Sequence, residues 1–174
     1  RMGEELELDR DASKKHMREL GIDIGPYAVI KGMDALREHL QAHENQYVKI
    51  SRFRGDMESF KAARYDLVEP LLDELEHRFG ARKQQIEFIV EGEIPDAVEV
   101  GYDGFTVDGQ FAATATRGIE VKDRGFIMRS GPYTDVPRQL RDINAKLTPT
   151  FEQLQYRGFF STEARITKDG TAYV

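Results

Sequence analysis

The chain has 174 residues, 40% hydrophobic and 32% charged, with a formal net charge of −6 and no cysteine. Such a chain holds one domain or two small lobes around a real core, and its acidic balance argues against a general nucleic-acid binder, which needs a basic face to displace counterions. The missing cysteines exclude a disulfide frame, a thiolate zinc site and a cysteine nucleophile, and no apolar run reaches membrane-spanning length. No signal peptide is visible, and a cytoplasmic setting fits. Residue 1 is Arg rather than Met, and the closing "TAYV" reads as a strand that stops without a turn. The sequence is therefore expected to be part of a longer protein.

Residues 1–8 carry no clear pattern. From Asp11, "DASKKHMREL" reads as a helix stopped by Gly21. "PYAVIKG" is a strand with turn residues at both ends. "MDALREHLQAH" puts Met33, Leu36 and Leu40 on one helical face. "QYVKIS" is the next strand, "RFRGDME" (52–58) a loop, and "SFKAARY" a short returning strand. "DLVEPLLDELEHRFG" aligns Val68, Leu71, Leu72, Leu75 and Phe79, with Asp66 and Glu69 at capping-box spacing. "QQIEFIVEGEIP" is a strand running into a turn.

The character then changes. Residues 97–131 are glycine-rich and strand-like, which reads as an antiparallel meander with tight turns such as Asp108-Gly109. A helix follows with Leu140, Ile143, Leu147, Phe151 and Leu154 aligned, and Pro149 inside it is expected to kink it. The chain closes in a hairpin, "FFSTEARI-TKDG-TAYV". The best boundary lies near Glu91–Pro95. It divides an α+β lobe (1–90) from a strand-rich lobe (91–174).

Four places could carry chemistry. Lys49 alternates with Val48 and Ile50, so it projects from the opposite strand face to theirs; a half-buried lysine there needs an anion such as phosphate. The bland alternative is a solvated strand lysine. The loop 52–58 has Gly55, which allows close backbone approach to a ligand, and Arg54 beside it. It matches neither the P-loop nor the dinucleotide signature, and its Arg-Gly-Asp is too short to carry an adhesion reading. Glu87 and Glu99 are acids on apolar strands that could accept from an amino group or a ribose hydroxyl. Glu163 and Arg165 lie two apart and share a strand face, where a carboxylate suits Mg²⁺ beside substrate phosphates or simply pairs with its arginine. Glu120 and Lys122 pose the same choice. His39 and His43 have helical metal-pair spacing but no third ligand, so a solvated helix face is the better reading.

The order of these features resembles the ATP-grasp superfamily over about residues 9–174, and most of all its phosphoribosylamine–glycine ligase-like and carbamoyl-phosphate-synthase-like members. "DRDASKKHMRELGIDIGPY" resembles the family's opening "DK…K…GIPVP", with Lys14 rather than Lys15 as the first phosphate lysine. "YVKIS" is similar to the "VVKP" strand, with Lys49 as the second. "RFRGDMES" stands where the family keeps its flexible phosphate loop, with one glycine where many members have several. "IEFI" resembles the hinge "EEFI", which implies that Glu87, Phe88 and Ile89, the last through its backbone, meet the adenine. Glu99 matches the acid near the ribose, with Glu93 as a rival. Glu163 matches the first metal carboxylate, and Arg165 beside it is implied to meet phosphate as the catalytic cation. The family's second metal motif would begin just past Val174, and its usual N-terminal lobe lies outside this sequence.

The resemblance implies an α+β fold of two lobes gripping the nucleotide between antiparallel sheets. It implies ATP and Mg²⁺ (or Mn²⁺) as cofactors, and a small carboxylate and an amine as substrates, with no nucleic-acid or membrane partner. The implied activity is carboxylate–amine ligation through an acylphosphate, chemistry that needs positioning and charge neutralisation more than a covalent side chain. The alternatives are a nucleotide-binding domain without ligase activity and an α+β module that binds no nucleotide. Neither substrate identity nor oligomeric state is legible in the sequence.

Overall fold

The computed structural model describes residues 8–51, 59–121 and 125–174. The expected phosphate loop 52–58, with Arg54 and Gly55, lies outside the described residues, as does Lys122. Two compact units emerge. One holds Gly25–Glu93 with the chain up to Lys14, and the other holds Ile94–Val174 with Lys15–Ile24. The first helix, α1 (Arg10–Glu19), thus contributes to both. It ends as its sequence requires: Gly21 takes a left-handed φ of 68° and the Ile22 N–H donates to the Met17 carbonyl at 2.9 Å, a glycine-stopped C-terminus.

The first unit runs β1 (Tyr27–Lys31), α2 (Met33–Ala42), β2 (Gln46–Ile50), β3 (Ser59–Ala62), α3 (Tyr65–Phe79) and β4 (Glu87–Gly92). Its four-stranded sheet has the order β1-β4-β2-β3, antiparallel throughout. Strand alternation sorts the side chains. Ala28 and Ile30, Val48 and Ile50, Phe60 and Ala62, and Phe88 and Val90 pack against Met33, Leu36 and Leu40 of α2 and Val68, Leu72 and Leu75 of α3 in one core. Their neighbours Tyr27, Lys31, Tyr47, Lys49, Lys61, Glu87 and Glu91 are left to the other face.

The expected capping box of α3 does not form. The helix begins at Tyr65 with Arg64 in the capping position and no side-chain cap. Asp66 already lies within the first turn, where the helix dipole favours its charge, and it accepts from the Arg64 guanidinium at 2.7 and 3.0 Å.

The second unit runs β5 (Val98–Val107), β6 (Gln110–Phe111), β7 (Thr114–Val121), β8 (Gly125–Pro132), α4 (Arg138–Leu154), β9 (Arg157–Ile166) and β10 (Ala172–Tyr173). The sheet order is β10-β9-β5-β7-β8, with β6 folded back on the end of β5. The Asp108-Gly109 turn forms as expected. Val107 faces Gln110 across it, and both turn residues have positive φ (50° and 83°), which this dipeptide tolerates. Leu140, Ile143, Leu147 and Phe151 of α4 pack with Val100, Tyr102, Ala115, Ala164 and Ile22 into a second core. The helix continues through Pro149 to Leu154, so the lost backbone bond there does not end it. No helix among the described residues is long and apolar enough to cross a membrane.

Candidate functional site

The non-core face of the first sheet carries the clearest concentration of charge. Glu91 stands on β4 between Tyr27 of β1 and Tyr47 of β2. Its carboxylate is shared by two lysines: Lys14 Nζ lies 2.5 Å from Oε1 and Lys49 Nζ lies 2.5 Å from Oε2. The side chains are only 14% (Lys14), 31% (Lys49) and 18% (Glu91) exposed. Burial alone would push the Glu91 carboxyl up, but Lys49 and Lys14 outweigh it and hold the group below the ordinary glutamate range. Lys14 also sits over the Tyr27 ring at 5.3 Å, and the Tyr27 hydroxyl donates to Asp11 at 3.1 Å.

Two lysines far apart in sequence, Lys14 and Lys49, are thus brought to one point. The residue that joins them, Glu91, is the one that sequence reasoning missed. The available signal was its place two residues beyond Ile89 on a strand whose alternate positions, Phe88 and Val90, are core. Its partners were not legible, because strand register sets them. The rival acid Glu93 is engaged elsewhere: Lys61 donates to it at 2.6 Å while lying 5.4 Å over the Tyr47 ring. Ser51, two residues beyond Lys49, has a buried hydroxyl without a hydrogen-bond partner among the described residues, and its N–H donates to the Glu87 carbonyl at 2.9 Å.

The expected adenine contacts fare differently. Phe88 is wholly buried in the helix-covered core, so its side chain cannot meet a ligand. β4 is an interior strand, paired with β1 on one side and β2 on the other. The Ile89 backbone is therefore committed to the ladder and has no free edge for a base. Glu87 opens the strand opposite Lys31, on the same face as Glu91.

In the second unit, Glu99 of β5 and Arg165 of β9 face each other directly, and Arg165 donates to Glu99 at 2.7 Å. Glu163 lies opposite Gly101 on the same sheet face and is exposed. Ser161 donates to Asp103 one pair further along. Among the described residues no group of three His, Cys, Asp or Glu side chains is placed to hold a metal ion. An ion at Glu163 would take its remaining ligands from phosphate oxygens and water, which is how Mg²⁺ is commonly held. Glu120 lies in β7 opposite Phe126.

No family model and no curated protein sequence matches this chain. Solved structures do. The chain is similar to phosphoribosylamine–glycine ligase from Thermotoga maritima, with a TM-score of 0.69 and 18% identity over 97% of this chain and 46% of that one. It is similar to the biotin carboxylase domain of the 2-oxoglutarate carboxylase from Hydrogenobacter thermophilus, solved with ADP, its magnesium salt and bicarbonate, with a TM-score of 0.68 and 12% identity over 97% and 39%. A RimK-domain ATP-grasp protein from Sphaerobacter thermophilus gives a TM-score of 0.61 and 18% identity over 97% and 57%. The α+β architecture of paired antiparallel sheets is that of these proteins, and the chain has the ATP-grasp fold. It spans about half the length of the solved structures it matches.

Proposed function

We propose that this chain binds ATP with Mg²⁺ (or Mn²⁺) and is the nucleotide-binding part of an ATP-dependent carboxylate–amine ligase. The observation that carries this is the Lys14–Glu91–Lys49 cluster: two largely shielded ammoniums share one carboxylate, so the trio has a net positive charge, and each ammonium has more N–H donors than the one its contact with Glu91 uses. In this reading Lys14 and Lys49 bind the phosphates, with Arg54 and Gly55 of the loop over them. Glu163 holds the metal ion, Arg165 neutralises phosphate charge, and Glu99, drawn from its pair with Arg165, accepts from the ribose. Glu87 lies near the base. The metal supplies charge neutralisation at the transferring phosphoryl group. The residues bind and orient, so that a substrate carboxylate oxygen attacks the γ-phosphorus in line, ADP leaves, and an amine then displaces phosphate from the acylphosphate.

A nucleotide-binding domain without ligase activity is the second reading, since the Lys14–Glu91–Lys49 cluster supports phosphate binding without requiring a reaction. Calorimetric titration of a non-hydrolysable ATP analogue with Mg²⁺ tests both against a module that binds no nucleotide. The parent is expected to bind and Lys49→Ala to lose about tenfold to a hundredfold in affinity. A folded parent that binds nothing sinks the proposal.

A further inference from the structure

The C-terminal end of α2 carries two histidines that the proposed phosphate site does not use. His39 is half-buried and His43 is exposed. Spacing alone favours a solvated helix face for them, but spacing does not give ring orientation. The two rings lie face to face, with centroids 4.3 Å apart and planes 17° from parallel. His43 caps the helix with an extended backbone (φ −136°, ψ 124°). Its Nδ1 lies 3.0 Å from the His39 carbonyl oxygen. A carbonyl can only accept, so in the neutral ring Nδ1 carries the proton and Nε2 the lone pair. Metal-ligating histidines are held in this way, one ring nitrogen donating to a carbonyl and so fixing tautomer and orientation. At His39, burial and then the neighbouring His43 push the imidazole below the ordinary histidine range, against a hydrogen bond from the Gln46 side chain. The neutral form thereby favoured is the one that ligates.

We infer that His39 and His43 form a two-histidine site for a divalent transition-metal ion of the kind that imidazole suits, Cu²⁺, Ni²⁺ or Zn²⁺. Among the described residues no third His, Cys, Asp or Glu joins the pair to complete a set, so water takes the remaining positions. A shared ion needs both lone pairs aimed at one point, and the stacked rings must pivot to reach it. The terminal imidazole torsion is broad, so that pivot is cheap. The ion lies at the carbonyl end of α2, where the helix dipole favours positive charge. Mg²⁺, which takes oxygen ligands, does not compete for it. Bound there, the ion ties the end of α2 to the connection 43–45 that leads into β2. That connection is already anchored: the Asn45 N–H donates to the Ala63 carbonyl at 3.0 Å, and the Asn45 carbonyl accepts from the Glu93 N–H at 3.1 Å. The competing account is a cap alone, in which His43 closes the helix end and neither ring meets an ion. The inference is independent of the nucleotide-binding reading.

The test titrates this chain with CuCl₂ by calorimetry in a weakly coordinating buffer, and counts nitrogen ligands by electron paramagnetic resonance of the Cu²⁺-loaded protein. The parent is expected to bind one ion through two imidazole nitrogens, with an affinity that excess Mg²⁺ leaves unchanged. His39→Ala and His43→Ala are each expected to weaken binding about tenfold or more. His77→Ala, on another helix, is expected to change nothing. Circular dichroism checks the fold of each variant. Should His39→Ala fail to fold, the exposed His43→Ala and the nitrogen count of the parent carry the test. A parent that binds no Cu²⁺, or binds it through a single imidazole, overturns the inference. So does either variant that keeps the parent's affinity. A loss in His77→Ala equal to that in His43→Ala overturns it too, because the ion is then held adventitiously by surface histidines. If His43→Ala lowers the urea midpoint while the parent binds no Cu²⁺, the pair is a helix cap and nothing more.

Discussion

The two sheets present charge in opposite senses. On the first, two lysines share the carboxylate of Glu91, and cation is in excess at that cluster. On the second, one glutamate is matched by one arginine and a further carboxylate, Glu163, stands exposed beside them, so anion is in excess. Both sheets are antiparallel and both are covered on one face by helix. The difference lies in which residues alternate with the core. Strand alternation gives any half-buried sheet one free face, and a protein can spend that face on either sign of charge without disturbing the core behind it. A phosphate chain suits the first sign and a hard metal ion the second.

The comparison breaks most forcefully at the cores. Leu72 and Leu140 are both fully buried, one in each core. Either leucine replaced by alanine is expected to cost about 2–5 kcal/mol. Hydrogen exchange should localise the damage: Leu72→Ala speeds exchange in β4 and Leu140→Ala in β9. Equal acceleration of both strands by either variant would show that the two cores do not open separately.

The opposite charges sharpen the comparison next. Lys14→Ala is expected to weaken nucleotide binding at any Mg²⁺ concentration, by about tenfold to a hundredfold. Glu163→Gln is expected to weaken it only when Mg²⁺ is present, and to leave metal-free nucleotide binding unchanged. Titrations with Mg²⁺ and with EDTA distinguish them. If Glu163→Gln acts equally in both, its carboxylate is not a metal ligand.

The second core also holds a buried polar cluster. Asn144 is fully buried, accepts from the Thr162 hydroxyl at 2.9 Å and donates to the Tyr133 hydroxyl at 3.3 Å. Asn144→Ala leaves a buried hydroxyl without its acceptor, and urea unfolding is expected to show a loss of about 1–3 kcal/mol.

The sequence made much of this legible and left out a specific part. Period-2 and period-3.6 patterns marked the strands and helices, because burial writes itself into alternation. Gly21 and Asp108-Gly109 marked their turns, because few residues accept positive φ. Lys14 and Lys49 were legible as candidates from their order along the chain. Register was not. That β4 inserts between β1 and β2 is a long-range fact, and it determines both that Glu91 meets the two lysines and that the Ile89 backbone has no free edge. The Asp66 capping box failed for a smaller reason: a helix start is uncertain by one or two residues, and here the helix begins at Tyr65, two residues earlier than that box requires, which moves the acid from the cap into the first turn.

The smallest effect is a pH dependence seated in the first sheet. The Lys49 and Lys14 ammoniums hold the folded Glu91 carboxyl below the ordinary glutamate value despite the burial that opposes them. A depressed folded pKa means that the unfolded chain binds the proton more readily. The stabilisation is then present in full above the unfolded pKa, and is lost as pH falls through the folded one. In Glu91→Gln the group does not titrate and this contribution is absent at every pH. Urea midpoints measured near about pH 7 and again near about pH 3 should therefore show parent and variant further apart at the higher pH than at the lower. A gap that stays constant would mean that the two lysines stabilise Glu91 no better than water does.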